Sequence, residues 1–75
     1  MSRTAATKPT ERQLNTLHFI NDYIESHGYP PSIRDIKKGV GTTSTSIVQR
    51  DLQRLEDFHM IERDEGVSRG IRVVK

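Results

Sequence analysis

Thr43-Ser-Thr-Ser-Ile-Val-Gln-Arg-Asp-Leu-Gln-Arg-Leu-Glu-Asp57 decides how the chain is read, because a helix over these residues has two faces suited to different surroundings. Val48, Leu52 and Leu55 recur at helical spacing and form one narrow apolar stripe. With that stripe turned inward, a wheel at about 100° per residue points Ser46, Gln49, Arg50, Gln53 and Arg54 outward, and this face has no carboxylate before Asp57. Ile47 stands roughly at right angles to the stripe, where an apolar side chain gains little from a core. Small hydroxyls, an aliphatic group, an amide and a guanidinium on the first two turns are the side chains that read base edges in a DNA major groove. On an isolated helix the same pattern also fits an ordinary solvated face, so the flanking chain has to decide.

Immediately upstream, Gly41-Thr-Thr43 is the short glycine-containing link that a helix-turn-helix places between its two helices, and Ser44 is the N-cap candidate for the second. Ser32 caps the preceding helix with Asp35 at its third position, where a carboxylate also meets the positive end of the dipole. Ile33, Ile36 and Val40 form its inner face, with Arg34, Lys37 and Lys38 outside. Gly39 weakens it by up to about 1 kcal/mol relative to alanine, so two or three turns are expected. Tyr29-Pro-Pro31 is a rigid corner, since each proline pushes the residue before it toward extended geometry. Farther back, Thr10-Glu-Arg-Gln13 has capping-box spacing and opens a helix. Its apolar stripe is Leu14, Leu17, Ile20 and Ile24, with Phe19 and Tyr23 beside it, running to Ser26 before Gly28 closes the helix. At about 1.5–3 kcal/mol per large buried side chain, this helix is expected to be the main hydrophobic contributor.

Downstream of Asp57 the period changes. His59-Met-Ile-Glu-Arg63 and Gly70-Ile-Arg-Val-Val74 are short, partly alternating runs on either side of a turn containing Gly66, with Ile61, Ile71 and Val73 expected to face the helices. A two-stranded hairpin is too small to stand alone and must pack on the helical core. The expected fold is therefore mainly α: a winged helix-turn-helix of three helices and an antiparallel hairpin over residues 10–75, preceded by a flexible arm over residues 1–9.

Composition narrows the function classes. Seventy-five residues allow one small domain, and with no cysteine neither a disulfide nor a thiolate metal site can staple it. His18, His27 and His59 are scattered without metal-ligand spacing, and no glycine-rich phosphate loop or catalytic pairing is present. No cofactor, metal or enzymatic activity is implied. No apolar run approaches the roughly 20 residues needed to span a bilayer, so a cytoplasmic protein is expected. The formal charge is only +2, but Arg34, Lys37, Lys38, Arg50 and Arg54 face just Asp35 and Asp51 between positions 34 and 54. Acidic residues gather elsewhere, at Asp22, Glu25, Glu56, Asp57, Glu62, Asp64 and Glu65. One basic face fits a polyanion.

Arg12-Gln13, Gly28-Tyr-Pro-Pro-Ser-Ile-Arg-Asp-Ile36, the Leu52 and Leu55 pair, and Ser68-Arg-Gly-Ile-Arg72 leading into Val73-Val74 resemble the N-terminal DNA-binding domain of the LexA repressor family. The likeness runs from about Thr10 to Val74. It implies a winged helix that binds palindromic operators in double-stranded DNA as two copies and represses genes of the DNA-damage (SOS) response. Carried over position by position, its base-reading residues fall on Ser44, Ser46, Ile47, Gln49 and Arg50. Phosphate contacts are expected from Arg34, Lys38, Arg54 and Arg69. In the family a second domain carries a Ser-Lys dyad that cuts its own linker and supplies most of the dimer interface; self-cleavage is not assigned to these 75 residues. A monomer that pairs on DNA is expected. The alternative is a winged helix reused as a protein-interaction adaptor.

Overall fold

The computed structural model describes residues 8–64, 66 and 69–74; residues 1–7 of the expected arm, Glu65, Val67 and Ser68 of the expected wing, and Lys75 lie outside them. The elements run α1 (Glu11–His27), α2 (Ile33–Val40), α3 (Thr45–Asp57), β1 (Ile61–Arg63) and β2 (Ile71–Val73). The strands pair antiparallel with Ile61 opposite Val73, Glu62 opposite Arg72 and Arg63 opposite Ile71. Backbone bonds from Asp64 N–H to Gly70 C=O (2.8 Å) and from Val74 N–H to Met60 C=O (2.9 Å) extend the ladder at both ends. Among the described residues no helix is long and apolar enough to cross a membrane.

The caps form where the side chains dictate. Thr10 Oγ1 accepts from Gln13 N–H at 3.2 Å while Gln13 Oε1 accepts from Thr10 N–H at 2.9 Å, closing a reciprocal box on α1. Ser32 and Asp35 repeat the device on α2 at 3.2 and 3.0 Å. Ser44 Oγ accepts from Ile47 N–H at 3.2 Å and starts α3. Gly28 (φ 80°) and Gly41 (φ 79°) take the left-handed conformation that ends α1 and α2. Each helix packs on the other two, β1 lies against α3 and β2 against α1.

The core differs from the expected one in emphasis. The buried hydrophobic core is Ile20 of α1, Ile36 of α2, Val48, Leu52 and Leu55 of α3, Ile61 of β1 and Ile71 of β2. Helix α3, not α1, is thus the main hydrophobic contributor. Leu14, Leu17 and Ile24 are only half-buried, and the buried line of α1 is Gln13, Thr16 and Ile20. Helix α3 also presents buried Asp51 to Arg12 in the first turn of α1. Thr16, itself buried, satisfies its hydroxyl on the Arg12 carbonyl at 3.1 Å.

Two residues have backbone or packing reasons that pattern alone does not reveal. A Cβ on Gly39 would run into the ring of Phe19, so the glycine permits close approach of α1 to α2. His59 occupies the left-handed position (φ 62°) after α3, with His59 N–H bonded to Glu56 C=O and Met60 N–H to Leu55 C=O. That pair of bonds is a Schellman closure, normally built on glycine, and it turns the chain from α3 into β1.

Helix propensity by itself makes Gly39→Ala stabilising by about 1 kcal/mol, but overpacking against Phe19 costs about 1–3 kcal/mol. Thermal denaturation should therefore show a lower Tm for Gly39→Ala; a rise would show that the Phe19 ring moves aside freely. His59→Gly relieves the Cβ penalty and should raise Tm by several degrees, corresponding to about 1 kcal/mol in a domain of this size.

Candidate nucleic-acid interface

Rotation of α3 about its axis is fixed by an ion pair as well as by apolar packing. Arg12 Nε donates to Asp51 Oδ2 at 3.0 Å and Arg12 Nη2 to Asp51 Oδ1 at 2.9 Å, a bidentate fork between the first turn of α1 and the middle of α3. Asp51 is buried, and its hydrogen bond raises the already high pKa of Arg12. The clue lay in spacing. Asp51 follows Val48 by three positions and precedes Leu55 by four, inside the apolar stripe, where a carboxylate needs a cation.

With α3 so oriented, Ser46, Gln49 and Arg50 are exposed, while Ser44 and Ile47 are half-buried at the helix start. The five residues carried over as base readers therefore lie on the cap and first two turns of one helix, three of them exposed. Ser44 spends an oxygen lone pair on its cap, leaving its hydroxyl proton available to a partner. Lys37 of α2 donates to Thr45 Oγ1 at 3.1 Å and ties α2 to the start of α3. The hairpin sits at the other end of α3, where Arg63 donates to Glu56 Oε1 (3.2 Å) and Gln53 Oε1 (3.3 Å), and it does not cover Ser46 or Arg50.

Charge is partitioned by pairing. The carboxylates of α3 are all engaged: Asp51 with Arg12, Glu56 with Arg63, and Asp57 as acceptor from Gln53 Nε2 at 3.0 Å. On the outer face of the hairpin, Arg72 bonds both Asp64 (2.7 Å) and Glu62 (3.3 Å). Among the described residues, Arg34, Lys38, Arg50 and Arg54 make no ion pair, and all four are exposed on α2 and α3. The basic face is thus more positive than the net charge suggests.

Arg69 is the exception among the expected phosphate contacts. Its Nη1 lies 3.1 Å from Asp35 Oδ2 and donates to Pro30 C=O at 2.9 Å, and its guanidinium sits 5.0 Å from the centre of the Tyr29 ring. Tyr29 meets Tyr23 edge-on at 5.8 Å, Tyr23 stacks on His27 at 3.9 Å, and the Tyr23 hydroxyl donates to Asp35 at 3.1 Å. Arg69 therefore latches the hairpin to the capped start of α2, with Asp35 matching its charge. Asp35 is pulled from 3.8 to about 2, chiefly by the Ser32 N–H, with the Tyr23 hydroxyl and the Arg69 charge adding and burial opposing.

Three mutually packed helices, a glycine turn between the second and third, and a hairpin latched beside them define a winged helix-turn-helix domain whose third helix carries an exposed polar and basic face. The model of the LexA DNA binding domain matches residues 6–70. Three proteins named LexA repressor are similar to the chain. That of Roseiflexus sp. (strain RS-1) is 48% identical over 83% of this chain and 28% of its own length. That of Bacillus subtilis (strain 168) is 44% identical over 91% of the chain and 33% of its own length. That of Clostridium novyi (strain NT) is 43% identical over 100% of the chain and 35% of its own length. The chain belongs to the LexA DNA-binding-domain family, and it spans about a third of the length of the curated relatives it matches.

The Ser32–Asp35 cap of α2 has a pH signature. A carboxyl depressed in the folded chain stabilises it above the unfolded value, and that contribution is lost as pH falls through the folded value. Wild-type and Asp35→Asn chains should differ most in Tm above about pH 4 and converge toward a pH of about 2. A gap that stays constant across that window would remove Asp35 as the titrating group.

Proposed function

We propose that the chain reads double-stranded DNA by laying α3 in the major groove, as the DNA-binding part of a transcriptional repressor of the LexA type. The observation that carries this is the charge partition: every carboxylate of α3 is engaged, while Arg34, Lys38, Arg50 and Arg54 are exposed without ion pairs among the described residues. A cation without an internal partner gains more from a polyanion than one already matched within the protein. Unmatched ones release counterions from it, about 0.9 for each phosphate neutralised.

In this reading Arg50 forks onto guanine O6 and N7, Gln49 pairs with adenine, Ile47 touches a thymine methyl and Ser46 bonds either edge. Arg34, Lys38 and Arg54, with the Ser44 hydroxyl and the start of α3, hold phosphates and set register without reading sequence. One domain covers one half-site, so two copies about one helical turn apart, or a multiple of that, occupy a palindromic operator. The chain is monomeric until it pairs there. The family membership and the relatives' printed name support a repressor, and we extend this to genes of the DNA-damage response and to action on cytoplasmic DNA.

Competition binding against a panel of half-site duplexes tests the assignment. Arg50→Ala should relax discrimination at one base pair by about 1–3 kcal/mol, whereas Lys38→Ala should weaken all duplexes alike and lower the salt slope by about 1. An unchanged ranking of half-sites for Arg50→Ala would refute the base contact. Absence of binding to random duplex at low salt would favour a protein-binding role for the same face.

A further inference from the structure

We infer that Arg12 is a phosphate-binding residue, held by Asp51 at the edge of α3 so that the recognition helix is flanked by cations on both sides. The inference rests on the DNA-reading role proposed above and deepens it. Pairing consumes only part of the guanidinium: Nε and Nη2 are bonded to Asp51, while no bond engages Nη1 among the described residues. The pair is also strongly asymmetric in exposure, with the Arg12 side chain 58% accessible and Asp51 only 2%. The carboxylate lies beneath the cation, and the outward surface of the pair is positive.

Position supplies the second half of the case. Asp51 is one turn from both Ile47 and Arg54, so Arg12 reaches α3 on the flank that carries those residues. Helix α2 joins the opposite flank through Lys37 and Thr45, and Thr45 and Arg54 are about 180° apart on a helical wheel. A helix lying in a groove about 12 Å wide has a phosphate backbone along each side. Arg34 and Lys38 on α2 face one rim; Arg12 with Arg54 faces the other. A guanidinium already locked in a bidentate fork loses little rotamer freedom on gripping a phosphate, which suits an anchor that fixes register.

Binding to a short random-sequence duplex, measured by fluorescence anisotropy across a salt series, separates an anchor from a merely structural arginine. Far-UV circular dichroism confirms that each variant is folded. Arg12→Gln should weaken binding to all duplexes by a similar factor and reduce the slope of log K against log salt by about 0.9. Asp51→Asn loosens the same pair but keeps the cation, so its slope should fall by less than that of Arg12→Gln. Overturning outcomes are a wild-type slope in folded Arg12→Gln, or equal slope losses in the two variants. If either variant fails to fold, the side-chain nitrogen signals of Arg12 in the wild-type chain decide: a shift on adding duplex supports the contact, and no shift overturns it. A wild-type chain that binds no duplex at low salt defeats the DNA-reading role itself, and this inference with it, whereas salt-dependent binding with an unaffected Arg12→Gln slope defeats this inference alone.

Discussion

The bidentate contact between Arg12 and Asp51 is the constraint on which the arrangement of the domain turns. Apolar packing sets which stripe of α3 faces inward, but Val48, Leu52 and Leu55 alone permit some rotation about the helix axis. A carboxylate embedded beside that stripe permits much less, because leaving it without its cation costs several kcal/mol. The pair therefore fixes the azimuth of α3 from α1, across 39 positions of sequence, and with it the direction in which Ser46, Gln49 and Arg50 point.

The same economy of charge runs through the rest of the molecule. Arg12, Arg63, Arg69 and Arg72 are matched to Asp51, Glu56, Asp35 and the Glu62–Asp64 pair, and each match fastens one element to another or stiffens the hairpin. Apart from Arg12–Asp51, whose carboxylate is buried, these are exposed or half-exposed pairs that contribute little to stability individually. Their larger effect is on the field. Matching Glu56, Glu62 and Asp64 with arginines leaves the unmatched cations on α2 and α3, and the helix dipole adds positive potential at the start of α3.

Placement of the hairpin depends on two features of different kinds. His59 accepts a left-handed backbone so that the chain can leave α3 and enter β1 within three residues, carrying Ile61 into the core. Arg69 then reaches back over Tyr29 to Pro30 and Asp35, joining the far strand to the corner before α2. The described part of the hairpin consequently stands beside the helix-turn-helix and leaves Ser46, Gln49 and Arg50 exposed.

Local order was legible in the residues themselves: the Thr10–Gln13 and Ser32–Asp35 boxes, the proline corner, the Gly41 turn, the Ser44 cap and the alternating strands are set by contacts within a few positions of chain. Family membership was likewise legible, because it resides in short motifs. What the chain alone did not reveal were the roles of Arg12, Asp51, Gly39 and Arg69, each of which has a partner far away in sequence. Asp51 entered only as an acidic residue in a charge count, Gly39 as a weak point in a helix and Arg69 as a phosphate contact, until folding brought up Arg12, the Phe19 ring and Asp35. Periodicity specifies which side of a helix is apolar; whether a charge on its margin is buried, matched or free depends on what another element places opposite it, and only the tertiary structure decides that.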